Sequence, residues 1–283
     1  MTSGALVLAG GGVAGIAWEI GVLRGIRDAR PAVFDRIMRT STTFVGTSAG
    51  STVAAQLASG VTLDELYATQ LAEETAELGA DSDIAEFAAM MATAADGATS
   101  AAEVRQRIGR IALDAKTMPA ADRRAIIAAR LPVAEWSDRR VLITAVDTAT
   151  GDLRVFDRDS GVALIDAIGA SCAVPSIWPP VEIDGRLYMD GGARSTANAD
   201  LAAGCDPVLI IVPTLEGGPG GPPITREQLD ALAPARIHTV FADDAAVAAF
   251  GPNPLDPATR PASVQAGRTL GQAIAADVAA FWV

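Results

Sequence analysis

Apolar positions along this chain follow two periods, and their alternation predicts the architecture. Short apolar runs stand at Ala5–Ala9, Thr42–Val45, Arg140–Asp147, Pro207–Val212 and Arg236–Phe241. Runs of this length, rich in β-branched and aromatic residues, predict strands, and the uninterrupted Pro207–Val212 suits a central parallel strand. Longer stretches with helical spacing separate them: Ile16 to Ala29 ended by Pro31, Ser48 to the Gly60 stop, Val162–Ala170, and a closing Ala262–Phe281. Two hairpins are written in turn chemistry. Thr150-Gly151-Asp152 returns the third strand into Leu153–Phe156, and Asp184-Gly185 joins Val181–Ile183 to Leu187–Met189, which delivers Asp190.

From Thr62 to Arg130 the patterning is helical throughout, with breaks near Gly79-Ala80-Asp81, Asp96-Gly97 and Met118-Pro119. Ile84, Phe87, Ala88 and Met91 fall on one helical face. This block interrupts the strand–helix alternation and is expected to be an insertion or cap beside a site. Gly217–Pro223 is expected to be a surface loop, and no internal repeat is present. The 283 residues therefore predict one α/β domain with a mostly parallel central sheet and a helical insertion over 62–130.

Composition narrows the partners. The net charge of −12, with Lys116 the sole lysine, excludes the clustered basic surface that nucleic acid requires. The same charge disfavours docking on anionic lipid, so any membrane contact is expected to be transient and apolar. Cys172 and Cys205 are too few for a disulfide framework and are expected as buried free thiols. No stretch has the make-up of a signal peptide or a bilayer span, and a cytoplasmic location is expected.

The candidate chemistry lies in three glycine-rich segments: Gly10–Gly15, Gly46–Gly50 and Asp190-Gly191-Gly192. In the second, Ser48 stands between Gly46 and Gly50, after a strand and before an alanine-rich helix. That is the layout of a nucleophile elbow, where flanking Cβ atoms would collide with the neighbouring strand and helix. The pattern also arises by chance in a chain rich in small residues. The first segment holds G-x-G-x-x-G between a strand and a helix, which fits dinucleotide binding. A nucleotide site would want an acid at the end of the second strand, but that strand ends at Gly46 and Ser48. An oxyanion hole built on Gly10, Gly11 and Gly12 explains both segments together. Two bases remain open for the serine. His238, the only histidine, gives the order Ser48, Asp190, His238 of a triad, but it lies inside a strand-like run. Asp190 acting directly on the hydroxyl is the other, since a dry site strengthens a carboxylate base.

As a set these residues resemble the patatin-like phospholipase family over essentially the whole chain. The resemblance runs from Leu6–Gly12 through Val45–Gly50, Ala170–Pro175 and Pro179–Val181 to Asp184–Gly192. It implies a three-layer α/β/α sandwich of the patatin type and hydrolysis of lipid acyl esters. It implies further that Ser48 is the nucleophile and Asp190 the base of a dyad, with the Gly10–Gly12 backbone as oxyanion hole and Gly15, Gly46, Gly50, Gly191 and Gly192 shaping the turns. No metal or organic cofactor is implied, and the expected partner is a lipid or other acyl-ester substrate. A triad with His238, a nucleotide-binding protein and an inactive scaffold are the alternatives. One departure stands out: the family's glycine loop commonly carries Arg or Lys where this chain has Ala14, and Arg24 or Arg194 are the substitutes considered.

Overall fold

The computed structural model describes residues 3–80, 84–217 and 222–283. The first unit is a strand, loop and helix: β1 (Gly4–Leu8) and α1 (Gly12–Ala29). The first helix stops at Ala29 before Pro31, as expected, and Pro31 also opens a second helix, α2 (Pro31–Thr40), because proline's missing N–H and fixed φ suit the first helical position. Next come β2 (Ser41–Thr47) and α3 (Ala49–Ala58). The helical block follows as α4 (Leu63–Leu71), α5 (Ile84–Ala95), α6 (Ala101–Asp114) and α7 (Ala120–Ala129). A reciprocal capping box between Thr62 and Glu65 starts α4. The side chains of Ile84 and Ala88, placed on one face with Phe87 and Met91, lie outside the described residues, as does most of the Gly217–Pro223 loop.

Both hairpins form. β3 (Arg140–Asp147) pairs antiparallel with β4 (Leu153–Phe156), and after α8 (Leu164–Ser171) the strands β5 (Val181–Ile183) and β6 (Arg186–Asp190) pair with each other. β7 (Val208–Val212), α9 (Arg226–Ala231), β8 (Ile237–Phe241), α10 (Asp244–Phe250) and α11 (Arg260–Phe281) complete the chain. The short helices α9 and α10 have no counterpart among the predicted elements, since six or seven residues are too few to show a helical period.

The strands make one mixed sheet in the order β5-β6-β3-β2-β1-β7-β8, with β4 also on β3. β3, β2, β1, β7 and β8 run parallel, so their carboxyl ends share one edge, where open α/β sheets place their ligand crevices. Alternation divides the core cleanly. Leu6, Leu8, Phe44, Ile143, Leu209 and Ile211 face the layer of α1, α3, α8 and α11, whereas Ala5, Val7, Val45, Leu142, Ile210 and Val212 face the thinner opposite layer around Ala199, Ala202, Ile224 and Leu232. The result is an α/β/α sandwich. Its thicker helical layer is locked by backbone contact between α1 and α11. A Cβ on Gly25 would stand 2.1 Å from the Arg268 carbonyl oxygen, and one on Gly267 would stand 2.2 Å from that of Trp18.

Candidate active site

The carboxyl end of β2 turns directly into α3 at Ser48, which holds φ 52° and ψ −118°. A side-chain-bearing residue adopts this region only under constraint, and the constraints are visible. A Cβ on Gly46 would lie 2.5 Å from the Ser51 Cα, and one on Gly50 2.0 Å from the Leu8 carbonyl oxygen, so strand, turn and helix are in backbone contact. The Ser48 N–H donates to Ser171 Oγ at 2.9 Å. Its carbonyl accepts from the Ser51 amide at 2.9 Å, the Ser51 hydroxyl at 2.6 Å and the Cys172 thiol at 3.3 Å. Every polar backbone group of the residue is thereby held, while its side chain borders a crevice shared with Gly12, Ala49, Arg123 and Trp178.

Asp190 reaches the same place from β6, paired opposite Ala145 of β3. Its N–H donates to the Ala173 carbonyl at 2.9 Å. Residues 171–173 thus fix the backbones of both Ser48 and Asp190, which gives the Ala170–Pro175 motif a structural purpose. Asp190 Oδ1 accepts from the Gly192 amide at 2.7 Å. Burial raises its pKa from 3.8 to about 6, offset in part by the Ser48 hydroxyl, the Gly192 amide and the charge of Arg123. The hydroxyl is therefore near enough to stabilise the carboxylate, yet Oδ2 has no hydrogen bond of ordinary geometry among the described residues. We read the pair as adjacent and loosely aligned, the condition in which catalytic hydrogen bonds stand before substrate tightens them.

A buried amide ties these turns together. Asn198 Nδ2 donates to Thr47 Oγ1 at 3.0 Å and to the Ser195 carbonyl at 2.8 Å, and Thr47 Oγ1 meets Thr144 Oγ1 at 2.9 Å. Gly191 packs so closely on Thr144 that a Cβ would come within 2.3 Å of its Oγ1. Asn198 and Thr144 carry no periodic or motif signal in the sequence, whereas Ser171 lies within the Ala170–Pro175 motif.

The glycine loop between β1 and α1 lies over Ser48. A Cβ on Gly10 would be 3.4 Å from the Ser48 Cβ. The Gly10 amide is spent on the Thr196 carbonyl at 2.9 Å, which leaves Gly11 and Gly12 as the loop amides at the amino end of α1. Gly12 has φ 67°, and a Cβ on Gly11 would overlap Pro213. Gly15 seats the helix on Pro213 and Ala49, and Ala14 is buried, its amide held by the Pro254 carbonyl at 3.0 Å.

A family profile described as "Patatin-like phospholipase" matches residues 6–203. This chain belongs to the patatin-like phospholipase family. Among solved structures it is similar to VipD from Legionella pneumophila at 11% identity and TM-score 0.46, covering 98% of this chain and 67% of that one. It is also similar to the type III effector protein ExoU at 17% identity and TM-score 0.44, covering 98% of this chain and 54% of that one, so the chain spans about half the length of ExoU. No curated protein matches the sequence.

In this patatin-like chain His238 stands apart from Ser48. It lies near the amino end of β8, three strands from β2 and so roughly 14 Å across the sheet, with its ring against Phe281. Burial lowers its pKa. The triad expectation fails on this placement. Arg24 and Arg194 also lie elsewhere, engaged by Asp28 and Asp64 and by Asp200. The cations that do border the crevice are Arg123 and Arg130, from α7 and its end. Arg130 forms a buried bidentate pair with Glu77 at 2.6 and 2.7 Å. Burial works to lower its pKa, and Glu77 more than reverses that. Beyond Arg130 opens a cavity of about 280 Å³ with mixed walls, Val13, Ile16, Leu66 and Ile126 on the apolar side and Gln56, Gln70, Glu74, Glu77, Arg130 and Arg260 on the polar side. No described helix is long and apolar enough to cross a membrane.

Proposed function

We propose that the protein is a serine lipid acyl hydrolase, of phospholipase A or carboxylesterase type, working through a Ser48–Asp190 dyad. The observation that carries this reading is a strained serine at the crevice with a buried carboxyl of pKa about 6 close enough to feel its hydroxyl. At neutral pH such a carboxyl is ionised yet basic enough to take a proton from an alcohol that is becoming an alkoxide's equivalent in the transition state.

Ser48 Oγ attacks the ester carbonyl carbon as its proton passes to Asp190 Oδ2, the oxygen without a protein partner. The carbonyl oxygen gains negative charge against the Gly11 and Gly12 amides and the positive end of α1. Collapse expels the alcohol, which leaves with the proton from Asp190, and the acyl group stays on Ser48. Water then attacks the acyl-enzyme, giving its proton to Asp190. The second collapse returns that proton to Ser48 Oγ and releases the fatty acid. The helices over 62–130 act as the cap, α4 and α7 walling the 280 Å³ cavity of mixed polarity that lies beyond Arg130. Approach to lipid is by transient apolar contact. Two buried, unpaired thiols fit a reducing compartment, in keeping with a cytoplasmic location.

Release of p-nitrophenol from a short-chain ester by the wild type, Ser48→Ala and His238→Ala tests the scheme. Ser48→Ala is expected to lose turnover and labelling by a fluorophosphonate probe, with His238→Ala within about threefold of wild type. Retained labelling in Ser48→Ala refutes the nucleophile, and an inactive but folded His238→Ala refutes the dyad. A wild type that neither labels nor hydrolyses any ester is the result expected of a scaffold.

A further inference from the structure

Arg123 is 5% exposed and has no ion-pair partner among the described residues. Its guanidinium carbon lies over the Trp178 ring, 3.9 Å from the centroid, a cation–π contact. Nη1 is buried without any hydrogen-bond partner, and the residue borders the crevice that holds Ser48. Its neighbour Arg130 holds both oxygens of Glu77 and repels Arg123, so Glu77 offsets the Arg123 charge only through space and accepts no bond from it. A buried, unpaired guanidinium is expensive unless an anion completes it. Asp190 contributes charge at a distance but accepts no bond from Arg123.

On these grounds, and resting on the hydrolase reading above, we propose that Arg123 is the specificity-determining cation of the site: its guanidinium binds an anionic oxygen, phosphate or carboxylate, carried by the ester substrate close to the scissile bond. Ala14 of the glycine loop is buried and uncharged, so the positive charge bordering the crevice comes from Arg123 and Arg130 of α7 and its end. The crevice beside Ser48 narrows to about 10 Å³, the room of one water-sized atom. A single acceptor oxygen fits there, with the rest of the anion lying toward the mouth. Trp178 packs against the guanidinium and limits its movement.

The test compares matched esters on the full chain. Monoacylglycerol and the monoacylglycerol phosphate of the same short chain form the phosphate arm; p-nitrophenyl butyrate and mono-p-nitrophenyl glutarate form the carboxylate arm. Arg123→Gln is expected to lower the anionic-to-neutral ratio of kcat/KM by about tenfold or more, chiefly through KM, because a charge-assisted hydrogen bond is lost. Arg123→Lys should recover part of the ratio. The arm that responds identifies the source of the anion. An unchanged ratio in both arms overturns the proposal, as does an equal loss on anionic and neutral esters, which would make Arg123 a transition-state or packing residue. Calorimetric binding of the monoacylglycerol phosphate to Ser48→Ala, with and without Arg123→Gln, separates the two layers. Binding that depends on Arg123 supports the anion site even if no ester turns over. Hydrolysis of neutral esters with no anion binding sinks the site and leaves the hydrolase standing.

Discussion

Replacing Asp190 with asparagine separates its roles in stability and in chemistry. The carboxyl is buried, and its folded pKa is about 6 against 3.8 for the free side chain. A raised pKa means that the folded state holds the proton more tightly than the unfolded chain does. The stability contributed is complete below about pH 3.8, declines as pH rises toward 6, and is lost above it. Each pH interval of one within that window costs about 1.4 kcal/mol, so the ionised native site at pH 7 carries a burden of about 3 kcal/mol. Asparagine removes the charge and keeps the shape: its carbonyl can still accept from Gly192, and its amide can face Ser48 where Oδ2 now has no partner. Asp190→Asn is therefore expected to be more stable than wild type at pH 7 by up to about 3 kcal/mol, with the difference shrinking toward pH 4. Its ester hydrolysis should fall by about 10²-fold or more as the general base disappears, and the wild-type rate should decline tenfold per pH unit below about pH 6. Urea unfolding of both proteins across pH 4 to 8, beside pH–rate profiles, provides the readings. A stability difference that does not vary with pH refutes the buried-carboxylate argument. An active Asp190→Asn refutes the base.

Two further outcomes follow from the same geometry. Ser48→Gly places at φ 52° a residue that tolerates that region, so the unfolding free energy should rise by about 1 kcal/mol while activity vanishes; a destabilised variant would show that the elbow is not strained. Glu77→Ala leaves Arg130 buried and unpaired and should cost about 3 kcal/mol, whereas the double variant with Arg130→Met should recover most of that loss; additive losses in a double-mutant cycle would disprove the coupling.

The legible parts of the site are those whose reason is local. Gly46 and Gly50 are required by backbone contact with Ser51 and Leu8, and such contacts leave glycines at fixed offsets from the serine. The hairpin that carries Asp190 was readable because Asp184-Gly185 is turn chemistry between two short apolar alternations. Arg123 was not readable. An arginine on an amphipathic helix is ordinarily solvated, and only the meeting of α7 with Trp178 buries it. The Gly10 amide was expected in the oxyanion hole, but the Thr196 carbonyl, far along the chain, occupies it. The first helix ends at Ala29, before Pro31, as its sequence indicates, whereas the second helix that Pro31 opens had no readable signal of its own.

By itself, then, the chain's pattern determined strands, helices, turns and the glycines that let them touch, because these follow from steric and periodic rules acting over a few residues. The tertiary structure alone decided which polar groups are dry. It places Asp190 against Ser48 and raises its pKa, removes His238 to the far end of an edge strand, and brings two arginines to the crevice. Desolvation depends on everything that surrounds a group, and no local run of sequence encodes it.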